Sequence, residues 1–305
     1  MFRKVSQVAE SQRSADVAER TSLIEYDTEN IDSPILTIEE AVDKCSFFQI
    51  QSSMYPKQVV DFSKGIAEAD HKILSAEMRL GSEYFFYMET QTALAIPDED
   101  DCMVVYTSSE FPEDAHHVIA ICLGVPEHNI RVITRVGGGF GGKFLKAMPV
   151  SIACALAAYQ LRRPVRIYVN RNSDMIMTGG RHPMKVTYSV GFKSSRKITA
   201  LHLYILINAG ITEAMSPILP LAIINSLKNY DWGALSFDVR LCKTNLSRKT
   251  TMRSPGDLQG SYIAEAIIEH VSSLLSKEVD SVRNENVHTL ESLSLDYSII
   301  TLWKK

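Results

Sequence analysis

Five glycines surround one phenylalanine in the sequence GGGFGGK at residues 137–143, and this run carries the clearest chemical signature in the chain. Glycine adopts positive φ angles without steric cost and lets a ligand approach peptide N–H groups directly. Several such N–H groups in one turn bind oxyanions, phosphates or metal oxo groups. The whole chain has 15 glycines, so this concentration predicts a loop whose backbone contacts an acceptor-rich ligand.

Other interpretations of the glycine run stay open on these residues alone. Most glycine clusters are ordinary connecting loops. A phosphate-binding loop of the P-loop type is disfavoured, because Phe144 stands where that motif needs Ser or Thr. Gly137, Gly139 and Gly142 match the dinucleotide pattern GxGxxG only loosely, and no acidic residue ends a following strand about 20 residues on.

The elements around the glycine run alternate between strands and helices. A strand at 130–136 leads into the run, and a helix rich in alanine follows at 147–161. Residues 112–124 predict a helix that begins at Pro112 and ends at Gly124. Further strands are predicted at 81–97, 102–108, 164–170, 184–192 and 197–210, and further helices at 37–44 and 261–277. This alternation predicts an α+β fold with mixed sheets and packed helices.

The composition is typical of a soluble globular protein with one large or two ordinary domains, since 45% of the 305 residues are hydrophobic and 22% are charged. A net charge of −4 gives no reason to expect nucleic acid or an anionic membrane as a partner. No apolar run is long enough to span a bilayer, and the N-terminal residues lack the apolar segment of a secretory signal.

The five cysteines are scattered along the chain and form no CxxC pair. This pattern predicts neither a disulfide framework nor a cysteine metal cluster. A reducing compartment, the cytoplasm, fits it best. Cys122 and Cys154 lie on apolar faces of predicted helices and are expected in the core.

The other polar clusters predict structural roles. His116 and His117 are adjacent on a predicted helix, so they cannot share one ligand face and are expected on the surface. His182 precedes Pro183 and is expected to make a structural hydrogen bond. Residues 98–101 resemble a calcium loop in charge but lack its spacing, which predicts a solvated turn.

Several longer motifs surround the glycine run in a fixed order. They read FYMETQTALAIPDED at 86–100, LGVPEHNIRVITRVGGGFGGK at 123–143, PVRIYVNRNSDMIMTGGRHPMKVTYSVGF at 164–192, CKTNL at 242–246 and MRSPGDLQGSYIAEAIIEH at 252–270. Together they resemble the molybdenum hydroxylases, the family of xanthine dehydrogenases and aldehyde oxidases. The residues of these motifs are most similar to those of plant aldehyde oxidases that act on indole acetaldehyde and abscisic aldehyde. The resemblance covers roughly residues 24–297.

The resemblance implies a molybdenum–molybdopterin cofactor and places residues around it. Phe140 matches the phenylalanine whose backbone N–H approaches the oxygens of the metal, and Gly139 and Gly141 give the cofactor access to that backbone. Arg253 matches the arginine that follows CKTNL, at the mouth of the substrate and cofactor site. Glu110 takes the position beside the metal, so Glu110, Phe140 and Arg253 are the predicted metal-site residues.

Glu110 and Ser254 are among the positions that depart from the family pattern. Family members carry Gln where this chain has Glu110, and an ionised Glu only accepts hydrogen bonds whereas Gln also donates them. Its charge would repel an anionic metal centre by about 4 kcal/mol at 4 Å and an effective dielectric of 20, which predicts weakened retention of the cofactor. The alternative is a solvated Glu110 with no metal beside it. Ser254 stands where animal members have Gly, which removes freedom for a positive φ angle.

The resemblance also implies a class of substrate. Purine-oxidising members carry Glu directly after the glycine run, where this chain has Phe144. Phe144 and Pro255 are predicted to line the substrate pocket, and an apolar pocket suits a small aldehyde better than a polar purine ring. The family reaction converts an aldehyde and water into a carboxylic acid.

The extent of the resemblance predicts three segments, a polar tail at 1–23, a remnant of the first molybdenum-domain subdomain at 24–54, and the first half of the cofactor-binding domain at 55–305. Iron–sulfur, FAD and catalytic-glutamate segments of the family have no counterpart in the chain. No catalytic residue is therefore assigned, and the chain is expected to be incomplete and inactive alone.

Whether the chain is an enzyme stays open at this point. One alternative is a non-catalytic partner of a full-length relative, as a homodimer or heterodimer, because the family forms dimers. Another is the product of a relic or split gene.

Overall fold

The computed structural model describes residues 7–25, 32–55, 61–134 and 147–288. The predictions made for Gly139, Phe140, Gly141 and Phe144 fall outside those residues. Among the described residues, the helices are α1 Gln12–Thr21, α2 Ile38–Asp43, α3 Phe62–Ala67, α4 Pro112–Leu123, α5 Met148–Leu161, α6 Arg171–Thr178, α7 Leu219–Leu227, α8 Asp257–Leu275 and α9 Val279–Asn286. The strands are β1 Phe47–Phe48, β2 His71–Leu80, β3 Thr92–Pro97, β4 Met103–Thr107, β5 Ile130–Thr134, β6 Val165–Tyr168, β7 Met184–Phe192, β8 Ile198–Gly210 and β9 Ala234–Lys243.

The chain divides into two compact units, and each unit takes its residues from two separate stretches of sequence. The first unit comprises Met1–Pro34 and Phe85–Thr178, and the second comprises Ile35–Tyr84 and Gly179–Lys305. The predicted segment boundaries at residues 24 and 55 concern a different division of the chain and stay a prediction.

The first unit is built on a four-stranded sheet with the order β5-β4-β3-β6. Strands β4 and β5 are parallel, and β3 runs antiparallel to both of its neighbours. Thr107 and Thr134, the last residues of β4 and β5, lie opposite each other. The carboxyl ends of these two strands therefore share one edge of the sheet, called the carboxyl edge below.

Helices α4 and α5 pack against the sheet of the first unit. Pro112 stands in the first turn of α4, and Gly124 ends the helix in the left-handed conformation with φ 70°. Cys154, Ala155 and Ala158 of α5 are fully buried, and their small side chains let the helix lie close to the strands. The unit therefore buries a compact apolar core on one side of its sheet.

The second unit has a five-stranded sheet with the order β1-β9-β8-β7-β2. Strands β8 and β9 are parallel, and the other neighbouring strands are antiparallel. Leu203 and Ile205 of β8 are fully buried in the same apolar cluster as Ile263 and Ile267 of α8. Each such side chain contributes roughly 1.5–3 kcal/mol on full burial, so this cluster is the main source of stability in the unit.

The structure confirms most of the predicted elements and corrects two predictions. The predicted strand at 81–97 is wrong over its first part, because β3 begins at Thr92. Just before β3, Gln91 N donates to a side chain, Asp174 Oδ1, at 3.0 Å instead of entering the sheet. Cys122 is exposed rather than in the core, since α4 buries Ala115, Ile119 and Ala120 instead.

Candidate functional site

The carboxyl edge of the first unit is lined with polar side chains that are almost completely buried. The residues concerned are Thr90, Gln91, Thr107, Ser108 and Ser109, and none is more than 3% exposed. Buried polar groups are costly unless they are hydrogen-bonded. Such a layer beside an apolar core therefore points to a structural or binding role for this edge.

A tight turn at the carboxyl edge presents Glu110. Ser109 N donates to Thr107 Oγ1 at 3.2 Å, and Phe111 N donates to Ser109 Oγ at 3.0 Å. Glu110 lies between these two anchored peptides and is half-buried. It directly precedes Phe111, the N-cap of α4, where the helix dipole favours a negative charge. The turn therefore fixes the backbone of Glu110 and provides a favourable electrostatic setting for its carboxylate.

A buried hydrogen-bond network supports that turn from behind. The fully buried carboxylate of Asp174 accepts from Tyr87 OH at 2.6 Å and from Gln91 N at 3.0 Å. Gln91 Oε1 in turn accepts from Ser108 Oγ at 3.1 Å. Burial, and then the hydrogen bond to Asp174, raises the pKa of Tyr87, which therefore stays a protonated donor. The network ties α6 to the segment just before Glu110.

Two hydroxyls at the carboxyl edge have no hydrogen-bond partner among the described residues. They are Thr90 Oγ1, just before β3, and Thr134 Oγ1, at the end of β5, and both atoms are buried. The residue after Thr134 begins the segment that leads to the glycine run. Unsatisfied buried hydroxyls are rare in native proteins, so these two groups fit a ligand that supplies donors or acceptors.

Arg253 lies in the second unit, on the segment from Lys249 to Gly256 that leads into α8 and is called the cationic strap below. Its side chain is exposed, and its carbonyl oxygen accepts from Arg181 Nη1 at 3.1 Å. Ser254 adopts φ 50°, so the predicted loss of positive φ freedom is wrong, and the chain carries roughly 1–3 kcal/mol of local strain there. Pro255 follows on the strap and is half-buried.

The end of the strap is fixed by close packing against α7. Gly256 has φ 86°, and a Cβ at this position would lie 2.5 Å from Ala222 Cβ. Gln259, in the first turn of α8, accepts from Gly256 N at 2.9 Å through its Oε1. Its Nε2 is buried with no partner among the described residues. Sequence analysis missed Gln259, although its place three residues after the N-cap glycine is the capping-box spacing.

Residues 49–287 match the family model described as the molybdopterin cofactor-binding domain. The chain belongs to this family. It is 60% identical over 309 residues to an indole-3-acetaldehyde oxidase from Arabidopsis thaliana, in a match that covers 98% of this chain and 23% of the relative. It is 56% identical over 309 residues to an abscisic-aldehyde oxidase from the same plant, with the same coverage. The chain thus spans about a fifth of the length of these relatives.

Solved structures confirm the predicted fold class. The molybdopterin cofactor-binding domain described above superposes on a CO dehydrogenase from Oligotropha carboxidovorans with a TM-score of 0.77 and 18% identity, covering 94% of this chain and 38% of that chain. An aldehyde oxidoreductase from Desulfovibrio gigas gives a TM-score of 0.73 and 19% identity, covering 92% and 31%. At this level of identity the likeness establishes the α+β fold with its mixed sheets.

The described residues of this molybdopterin cofactor-binding domain fit an anionic, oxygen-rich cofactor. In the second unit, Gln259 Nε2 is a buried donor with no partner among the described residues, and Gln259 follows Arg253 by six residues. In the first unit, taken by itself, the buried hydroxyls of Thr90 and Thr134 likewise have no partner among the described residues. Of the predicted site residues, Arg253 and Pro255 share the strap of the second unit, and Glu110 lies in the first unit. The described residues contain no cluster of three His, Cys, Asp or Glu side chains that could hold a metal ion.

The remaining candidates have the structural roles predicted for them. His182 is buried, and its Nε2 lies 2.8 Å from Ser216 Oγ. His117 is exposed and its Nδ1 lies 2.5 Å from Glu127 Oε1. Cys154 is buried in the core of the first unit, and burial raises the pKa of its thiol to about 11. Within the described parts of the chain, no helix is both long and apolar enough to cross a membrane.

Proposed function

We propose that this chain forms part of the molybdenum-cofactor site of an aldehyde oxidase, an enzyme that converts an aldehyde and water into a carboxylic acid. The observation that carries this proposal is the 60% identity, over 98% of the chain, to a plant indole-3-acetaldehyde oxidase. The buried Nε2 of Gln259, which has no partner among the described residues, supports it, because a bound cofactor would supply that partner.

The chain's own residues bind and orient the cofactor in this proposal. When bound, the cofactor supplies the redox chemistry of the reaction. The sequence around Gly139, Phe140 and Gly141 is the basis for proposing that their backbone N–H groups bind the anionic groups of the cofactor. Arg253 contributes a fixed positive charge next to the anionic groups, and its exposed guanidinium is free to donate several hydrogen bonds at once.

The substrate side of the site is apolar in this proposal. Phe144 and Pro255 exclude water from one side of the aldehyde and offer no partner for a polar purine ring. The left-handed backbone at Ser254 turns the strap between Arg253 and Pro255. This local geometry lets neighbouring residues of the strap serve the cofactor and the substrate separately.

Glu110 supports a second candidate function, a non-catalytic partner of a full-length aldehyde oxidase. A carboxylate at this position cannot donate a hydrogen bond to a metal oxo group, and its charge opposes an anionic centre. In this case the chain keeps the fold and loses the cofactor. The two candidates therefore differ in the molybdenum content of the purified protein.

The deciding experiment measures molybdenum by mass spectrometry, and the pterin by fluorescence after oxidation, in chain purified from cells that synthesise the cofactor. We expect molybdenum in the wild-type chain, more in Glu110→Gln, and much less in Arg253→Ala. Glu113→Gln and Arg163→Ala are matched controls for the change of charge, because both residues are exposed. Oxidation of indole-3-acetaldehyde with a dye acceptor is then assayed on the loaded protein.

The proposed function fails if neither the wild-type chain nor Glu110→Gln retains molybdenum under conditions that load a full-length aldehyde oxidase. Co-purification of the metal-free chain with that relative would then establish the non-catalytic role. Light scattering tests the proposed homodimer or heterodimer, and a fluorescent fusion tests the proposed cytoplasmic location.

A further inference from the structure

One buried lysine of the second unit has no carboxylate partner among the described residues. Lys249 is 5% exposed. Its Nζ donates to Ser82 Oγ at 3.3 Å and lies 5.9 Å from the centre of the Tyr84 ring. The Ser82 hydroxyl hydrogen is already used, since it donates to the carbonyl oxygen of Arg181 at 2.7 Å. An ammonium group has three N–H donors, so the hydrogen bond to Ser82 leaves Lys249 with donating capacity that no acceptor among the described residues is shown to use.

Lys185 of the same unit is paired even though it is less buried. The side chain of Lys185 is 22% exposed and lies 3.2 Å from Glu39 and 3.3 Å from Glu77. The hydrogen bond that Lys185 donates to Glu39 raises the pKa of Lys185, whereas burial lowers the pKa of Lys249. The more deeply buried ammonium thus has the poorer set of partners, which reverses the usual rule that buried charges are paired.

Arg181 is a second buried cation, and its backbone is linked to Lys249 through Ser82, whose hydroxyl donates to the Arg181 carbonyl oxygen. It is 7% exposed, and among the described residues its carboxylate contact is Glu83, at 2.8 Å from Nε. The side chain of Glu83 is 59% exposed, so solvent screens much of its charge. Arg181 Nη1 donates to the carbonyl oxygen of Arg253, which leaves further guanidinium N–H donors available. Lys249 and Arg181 together outnumber the single carboxylate beside them.

The backbone around the two cations is held rigidly, so the arrangement is a formed site. Arg181 N donates to Glu83 O at 2.7 Å, and Thr250 N donates to Gly180 O at 3.1 Å. Three segments of the second unit therefore meet at Ser82, Arg181 and Lys249. A rigid frame lowers the ordering cost of binding a ligand.

We propose that Lys249 and Arg181, with Ser82 between them, form an oxyanion-binding site that takes a phosphate group. Several donors from an ammonium and a guanidinium suit a tetrahedral oxyanion. Tyr84 covers the ammonium and is 52% exposed, so its ring is the group that moves when the anion enters. This site is independent of the molybdenum cofactor, because its residues are neither the glycine run nor the side chain of Arg253.

The test uses the purified full chain without molybdenum, in phosphate-free buffer, titrated with inorganic phosphate and with phenyl phosphate by calorimetry. We expect saturable binding of at least one probe, and roughly tenfold or greater weakening in Lys249→Met, because a charge-assisted hydrogen bond is lost. Lys249→Arg keeps a cation in place and should retain binding. Lys72→Met is the matched control, because Lys72 is exposed on β2.

Circular dichroism establishes which variants are folded, and Lys249→Gln replaces Lys249→Met if the latter is not. Preferential binding of phenyl phosphate would identify an organic phosphate ester as the ligand, and equal binding would identify free phosphate. Absence of saturable binding by the wild-type chain, or equal binding by Lys249→Met and the wild type, overturns the proposal. Molybdenum content, measured separately, decides the proposed function, so the two failures are distinguishable.

Discussion

The core of the second unit and the carboxyl edge of the first unit are both buried, but the first buries apolar side chains and the second buries polar ones. In the core, apolar side chains such as Leu203 and Ile267 are fully buried and contact one another. At the carboxyl edge, polar residues such as Gln91 and Ser109 are equally buried, and two hydroxyls there have no partner among the described residues. Burial alone therefore does not separate stability from function. Whether the buried polar groups have hydrogen-bond partners is what distinguishes a stabilising region from a candidate binding region.

The largest expected effect comes from the core. Ile267→Ala removes a fully buried side chain of α8 and should lower the free energy of unfolding by about 2–5 kcal/mol, because it loses apolar burial and leaves a cavity. Urea unfolding followed by circular dichroism measures the change. Ile176→Ala on α6 is the matched control, since Ile176 is 68% exposed and should change stability by less than about 0.5 kcal/mol.

Loss of a satisfied polar group at the carboxyl edge should have the next largest effect. Asp174→Ala leaves Tyr87 OH and Gln91 N without their acceptor in a buried place. Each unsatisfied group costs about 1–3 kcal/mol, so unfolding should occur at clearly lower urea concentration. Tyr87→Phe with Asp174→Ala should recover part of the loss. If Asp174→Ala unfolds like the wild type, the network does not hold the edge together.

An unsatisfied group at the same edge should behave in the opposite way. Thr90→Val replaces a buried hydroxyl that has no partner among the described residues, so stability should be unchanged or higher by up to about 1 kcal/mol. The same variant should retain less molybdenum if the hydroxyl serves the cofactor. Thr92→Val is the comparison, because the Thr92 hydroxyl donates to Thr90 O at 3.2 Å. A clear destabilisation by Thr90→Val would show that the Thr90 hydroxyl contributes to stability, as the satisfied groups around Asp174 do.

The smallest effect is expected at the exposed amino end of α2, where the Glu40 side chain accepts hydrogen bonds from two backbone N–H groups. Glu40 Oε2 accepts from Leu36 N at 2.6 Å and from Thr37 N at 3.1 Å. These backbone hydrogen bonds hold the pKa of Glu40 below its ordinary value of 4.5. The stabilisation of α2 is therefore complete above about pH 4.5 and is lost as the pH falls through the lower pKa of the folded state.

Amide chemical shifts of α2, followed by NMR from pH 6 to pH 2, measure this loss. Glu40→Gln should give a flat profile, because its amide oxygen accepts the same hydrogen bonds at every pH. A wild-type profile that is equally flat would show that the cap does not depend on the charge.

Local patterns predicted much of the fold. Strict alternation of apolar and polar residues predicted β7 at 184–192 with its observed bounds, and Pro112 and Gly124 marked both ends of α4. The segment before β3 misled the same reasoning, since its aromatic residues look like a strand. A side chain more than 80 residues away, Asp174, satisfies its backbone at Gln91, and no local signal reports such a contact.

The candidate site was predicted unevenly for the same reason. Arg253 and Glu110 were predicted as site residues because each occupies a position within a motif that can be matched to the family pattern. Gln259 and Lys249 were missed, because what singles them out is a poorly partnered buried group. Gln259 Nε2 has no hydrogen-bond partner, and the Lys249 ammonium has no carboxylate partner, among the described residues. That property depends on segments that the fold brings together, such as Ser82 with Lys249.

The second unit is interrupted in sequence by part of the first, and this has a consequence for synthesis on the ribosome. Strand β2 ends at Leu80, but its partner β7 begins only at Met184. The nascent chain must therefore carry an unpaired strand while about a hundred further residues emerge, and unpaired strand edges favour aggregation. Chaperone demand during translation should accordingly fall sharply once β7 has left the exit tunnel.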